Sequence, residues 1–143
     1  MIADFRILAG PQLLGVEITE SFLADDRSQG LLQALHDTGL HLSIDDFGTG
    51  YSCLSRVSAL PLDTIKIDRA FVVDLGRSPG AAAVVQSIID LAEKLGMSTI
   101  AEGVETQRQV DLLKELGCTV AQGYLFAKPL PASEFIQFAT AVR

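Results

Sequence analysis

Seven side chains of this chain are of types that could do chemistry together: Glu17, the adjacent pair Asp45 and Asp46, Lys66 with Asp68, Glu102 and Gln122. Carboxylates joined by one lysine and one amide, with no histidine or cysteine in the set, present hard oxygen donors. Such donors suit Mg2+, Mn2+ or Ca2+ rather than zinc. Asp45 and Asp46 repel each other at neutral pH, and a bound cation is the natural remedy. Neighbouring aspartates at a strand end can also turn towards different ions. A two-metal centre of that kind activates water and stabilises the leaving oxygen of a phosphodiester. Lys66 would then orient the attacking water or an anionic oxygen; its competing role is a structural ion pair with Glu17 or Asp45. Any one strand-end acid more often caps a helix or faces solvent. The argument for a site rests on five successive polar strand ends.

Those ends must be placed by regular elements, and the chain supplies them. LLQALHDTG runs into LHLSIDD, IIDLAEKLG into MSTIAEG, and VDLLKELG into CTVAQG. Each is a helix closing on a glycine and passing into a β-branched strand, with Gly39, Gly96 and Gly117 suited to the left-handed position past a helix end. LLGVEIT (13–19) and DTIKID (63–68) read as two further strands. Five βα units in a row imply parallel strands joined by helical crossovers, either a doubly wound sheet or a (βα)8 barrel. Within the strands, alternation puts Val16, Ile18, Leu42, Ile44, Ile65 and Ile67 on one face. Glu17, Asp45 and Lys66 share the other. PASEFIQFATAV reads as the last helix, capped at or near Ser133, and GRSPG (76–80) as the only loose stretch.

The totals narrow the classes. With 143 residues and 48% hydrophobic content, the chain suits one domain with one core, residues 1–143. The 11 Lys and Arg against 18 Asp and Glu leave a formal charge of -7, which disfavours nucleic acid and anionic membranes as partners. Cys53 and Cys118 form no CxxC, and His36 and His41 are the only histidines, so neither a zinc spacing nor a disulfide framework is visible. A basic leader with an unbroken apolar core is missing, and the expected compartment is the cytoplasm.

Five stretches carry a specific resemblance: VEITES (16–21), IDDFGTGYS (44–52), IKIDRAFV (65–72), AEGVET (101–106) and QGYLFAKPLP (122–131). In this order they resemble the EAL-domain family of cyclic di-GMP phosphodiesterases. The resemblance implies a modified TIM-type barrel that hydrolyses cyclic di-GMP to linear pGpG with two Mg2+ or Mn2+ ions. It implies that Glu17, Asp45, Asp46 and Glu102 are metal ligands, with Asp46 on the second ion. Lys66 would hold the catalytic water, and Gln122, Glu105 and Asp68 would support site and substrate. Glu20 would steady the loop after DDFGTG, in which Gly48, Thr49 and Gly50 allow a tight turn. The family also implies a homodimer through the DDFGTG region and signal-receiving domains elsewhere in a longer protein.

The chain departs from the family in lacking the Glu-Ala-Leu segment and the asparagine ligand of the next strand. Its first match falls on the fourth strand of the barrel. A complete barrel takes roughly 250 residues, so the expectation is an incomplete barrel, strands four to eight. Such a chain should bind metal weakly and turn over poorly or not at all unless a partner or a second copy completes the barrel. Ala70 and Cys53, where serines are usual, lie outside the ligand set. Two other functions fit the same residues: a non-catalytic cyclic di-GMP receptor or interaction module, and a Mg2+-dependent barrel enzyme using Lys66 as base to form an enediolate.

Overall fold

The structure is a computed structural model that describes residues 15–24, 28–48 and 54–141. Five strands form one parallel sheet: β1 (Gly15–Thr19), β2 (His41–Phe47), β3 (Thr64–Ile67), β4 (Ser98–Ala101) and β5 (Val120–Ala121). Their spatial order follows the chain, β1-β2-β3-β4-β5. A doubly wound sheet reverses direction at a switch point; this one does not. Of the two expected windings the barrel type holds, as an open five-strand segment.

The crossovers are helical: α1 (Ser28–His36), α2 (Leu54–Val57), α3 (Arg69–Val73), α4 (Pro79–Lys94) and α5 (Gln107–Glu115), with α6 (Ala132–Ala141) closing the described chain. Residues Val85, Ile88, Ile89 and Ala92 of α4 are buried at i, i+3, i+4, i+7 spacing, the stripe an amphipathic helix lays on a sheet. They belong to one core with Leu42, Ile44, Ile65 and Ile67, each fully buried, and Ile18. Fully burying each such side chain is worth about 1.5–3 kcal/mol. The aliphatic face read from the sequence is therefore the core.

Gly39, Gly96 and Gly117 all have positive φ, as their helix-end positions require. Two smaller expectations need correction. GRSPG is not loose throughout, because Ser78 caps α4 by accepting from Gly80 N–H and Pro79 takes the first helical position, where a missing N–H costs nothing. α6 opens at Ala132, so Ser133 lies inside it, and the Pro131 carbonyl takes the first helical bonds from Glu134 and Phe135.

One irregularity shapes the site. Ile44 pairs with Ile65 and Phe47 with Ile67, so β2 advances three residues where β3 advances two. The extra residue is a β-bulge, and Asp46 within it has φ 54, the one non-glycine residue with positive φ among those described. Strict alternation would send Asp46 into the helix-facing core with Leu42 and Ile44. The bulge turns it out instead and returns Phe47, 3% exposed, to the apolar face. Aspartate tolerates the left-handed region better than most residues.

Candidate active site

Lys66 stands at the centre of the polar face. It projects from β3, which is buried along its whole length. Its ammonium Nζ lies 2.7 Å from Glu17 Oε1, 3.0 Å from Asp45 Oδ1 and 2.6 Å from Glu102 Oε1. The contact to Asp45 is an ion pair at close range without the alignment of a good hydrogen bond. Strands β1, β2 and β3 and the residue after β4 thus each deliver one charge to one point. Gln122, just past β5, donates from Nε2 to Glu102 Oε1 at 2.5 Å. Five residues read from the sequence as a set are brought together at the C-terminal edge of five neighbouring strands, where barrel enzymes build their sites.

The electrostatics follow from burial and partners. Burial alone would lower the Lys66 pKa, but the close carboxylates of Glu102, Glu17 and Asp45 outweigh it and hold the ammonium above its usual range. Glu102 is raised, chiefly by burial and also by the charges of Asp45 and Glu17, against the opposing pull of Lys66. Asp46 is raised by a hydrogen bond with Asp68 and then by the neighbouring charge of Asp45, Lys66 opposing.

The remaining candidates are placed around this centre. Asp68 caps α3, accepting from Ala70 N–H at 2.7 Å, while facing Asp46. Glu105 is tied to Arg69 at 2.6 Å. Glu20 is buried directly after β1, and neither carboxylate oxygen has a hydrogen-bond partner among the described residues. Gly48 has φ 92 and sits over Phe71 of α3. Thr49 and Gly50 lie outside the described residues.

Beside Glu102 and Gln122 opens a cavity of about 510 Å³, lined also by Arg69, Glu105, Tyr124, Lys128 and Phe135. Arg69 and Lys128 set two cations at the mouth of an otherwise acidic site. An anionic molecule with an aromatic or apolar part fits such a lining. Sequence reasoning passed over Arg69, Lys128 and also Gln109, whose amide holds the loop of Glu102. Thr106 and Gln109 form the Thr-x-x-Gln signature of a capping box, so that signal was present.

The donor set of Glu17, Asp45, Asp46 and Glu102 is all oxygen, which suits a hard divalent ion in kind. Among the described residues no group of three or more His, Cys, Asp or Glu converges as a metal cage; the carboxylates converge on Lys66. No described helix is long and apolar enough to cross a membrane.

Comparison with known proteins agrees with this geometry. A family model described as EAL domain matches residues 2–129. The chain is 45% identical over 132 residues to cyclic di-GMP phosphodiesterase NbdA of Pseudomonas aeruginosa, covering 91% of this chain and 17% of that protein. The crystal structure of the EAL domain of Mycobacterium smegmatis DcpA superposes with a TM-score of 0.90 at 42% identity, covering 99% of this chain and 66% of that one. The manganese and cyclic di-GMP complex of Klebsiella pneumoniae BlrP1 matches with a TM-score of 0.80 at 37% identity, over 90% of this chain and 34% of that one. The chain thus spans about a sixth of the length of NbdA and a third of BlrP1.

Proposed function

Because the chain belongs to the EAL-domain family, we propose that it acts in a cyclic di-GMP phosphodiesterase, hydrolysing one phosphodiester bond of cyclic di-GMP to leave linear pGpG. The observation that carries this reading is the convergence of Glu17, Asp45 and Glu102 on Lys66 at 2.6–3.0 Å, beside a cavity with two cations at its mouth. The names of NbdA and of the BlrP1 complex support the substrate class and the use of a divalent ion.

In this reading Glu17, Asp45, Asp46 and Glu102 would hold divalent ions, Mg2+ or Mn2+. Such ions, when bound, would supply a water nucleophile at neutral pH and offset charge on the leaving oxygen. The chain's own groups do the rest. Lys66 presents a fixed positive charge to the attacking water or to a non-bridging phosphate oxygen, and its buried position means little reorganisation accompanies reaction. Gln122 fixes the direction of the Glu102 carboxylate. Arg69 and Lys128 attract the anionic substrate towards an acidic centre that would otherwise repel it. Water adds across the P–O bond: its oxygen bonds to phosphorus, the bridging P–O bond breaks, and a proton passes to the freed ribose hydroxyl.

Residues 1–143 are read as part of one EAL-type domain, acting in the cytoplasm. A groove of about 750 Å³ lined by Phe47, Gly48, Phe71 and Val84 supports pairing of two copies beside the loop after β2. Signal input would come from domains of a longer protein.

The test is direct. Completed to a full barrel and incubated with cyclic di-GMP and Mn2+, the protein should release pGpG by chromatography, and Asp45→Asn should abolish product while leaving the melting curve intact. Unchanged turnover in Asp45→Asn would refute its role. A second reading, a cyclic di-GMP receptor without turnover, draws on the absence of a converged carboxylate cage among the described residues. Calorimetric binding of cyclic di-GMP with no pGpG at saturating Mn2+ would decide for it.

A further inference from the structure

The loop between β4 and α5 carries both Glu102 and Glu105. On its sheet side, Glu102 N–H donates to Ile67 O at 3.0 Å and Val104 N–H to Gln122 O at 3.1 Å. Another tie comes from a side chain on α5. Gln109 is 8% exposed, and its Oε1 accepts from the N–H groups of Glu105 and Thr106, both at 2.9 Å. Its Nε2 donates to Val72 O at 3.1 Å. Val72 lies in the last turn of α3, and its carbonyl, which also accepts from Leu75 N–H at 3.2 Å, takes the Gln109 bond on its second lone pair.

α3 is no neutral anchor. It starts at the Asp68 cap beside Asp46, carries Arg69 on Glu105, and lays Phe71 under Gly48. One buried amide therefore joins the loop of Glu102 to the short helix that follows Lys66. Capping alone needs only an acceptor at this position, and glutamate serves it as well as glutamine. The bond to the Val72 carbonyl needs a donor. Only an amide of this length makes both.

We propose that Gln109 is a positioning residue, which by bridging the Glu105 and Thr106 amides to the Val72 carbonyl sets where the Glu102 carboxylate stands against Lys66. This rests on the reading of Glu102 as an acid of the site. Glu102 itself reaches the ammonium from the segment just past β4, where its N–H bonds Ile67 O. Without the bridge the segment would keep its three backbone bonds, Leu125 N–H to Val104 O at 3.0 Å being the third, and the contacts of the Glu102 carboxylate with Lys66 and Gln122. It would lose its buried side-chain tie to α3 at Val72 and keep there only the exposed Arg69–Glu105 pair, and exposed pairs contribute little.

The experiment is residue-resolved amide exchange by NMR on the whole chain for wild type, Gln109→Glu and Gln109→Met. Gln109→Glu keeps the acceptor for both N–H groups but sets a carboxylate oxygen against the Val72 carbonyl. Gln109→Met keeps the volume and loses every bond. In Gln109→Glu the Glu102 and Val104 amides should exchange about tenfold faster, the scale of one lost buried hydrogen bond, while Glu105 and Thr106 stay as protected as in wild type. In Gln109→Met all four should speed up. Wild-type exchange at Glu102 and Val104 in either variant overturns the proposal, because a cap alone would then account for the residue. If Gln109→Glu also lowers the melting temperature, the same contrast with Gln109→Met decides. The readout needs neither metal nor substrate, so failure of the phosphodiesterase reading in its own assay and failure of this one are told apart.

Discussion

Lys66 joins burial and charge in one side chain. An isolated ammonium in so enclosed a place would favour its neutral form, yet three carboxylates hold it charged. The dependence is mutual, because Glu17, Asp45 and Glu102 repel one another and Lys66 is the fixed charge that gathers them. Lys66→Met should therefore destabilise the fold by about 2–3 kcal/mol, less than the 3–5 of a fully buried pair because Glu17 is mostly exposed. Urea denaturation checks this, and a loss below ~0.5 kcal/mol would mean that solvent already screens the cluster. Asp46 answers to its acidic neighbours differently: a hydrogen bond with Asp68 and then the charge of Asp45 hold its carboxyl above the ordinary range, with Lys66 opposing.

At the scale of elements, two short irregular pieces do what regular strands could not. The bulge in β2 lets adjacent aspartates leave the strand in different directions while Phe47 stays in the core. The segment after β4 brings Glu102 inward and Glu105 onto Arg69, and it does so through Gly103 at φ 67. A Cβ there would overlap Cβ, Cγ and Cδ of Arg69. Gly103→Ala should cost about 1–2 kcal/mol through the left-handed backbone alone, and displace Arg69 from Glu105 besides. Thermal melting with a double-mutant cycle against Glu105→Gln would separate the two contributions: backbone strain persists in the double variant, whereas the Arg69 contribution does not.

At the scale of the whole molecule, the sheet is open. Among the described residues nothing pairs with the outer edge of β1 or of β5, and Val120, Tyr124, Phe126 and Phe135 are exposed near the latter. Unpaired parallel edges beside apolar side chains invite another strand. The chain should therefore associate as its concentration rises, and sedimentation velocity over a range of loading concentrations should show the sedimentation coefficient climbing. A single concentration-independent monomer would show that these edges are protected.

Much of this was legible in the residues themselves. Period-two alternation assigned Glu17, Asp45 and Lys66 to one face, because side chains of a strand must alternate. Glycines past three helix ends marked where strands begin, because only a residue without Cβ takes that conformation cheaply. Five motifs in order pointed to the EAL family. Other features needed the fold. No alternation rule announces a bulge, so the separate directions of Asp45 and Asp46 came only from the mismatch of β2 against β3. The contacts of Lys66 with three acids, of Arg69 with Glu105 and of Gln109 with Val72 join residues some 20 to 50 positions apart. The chain determined by itself which faces are apolar and which chemistry its polar residues offer, since both are local properties of side-chain type and spacing. The tertiary structure decided which charge neutralises which, because that depends on register, and register is settled only when the strands lie side by side.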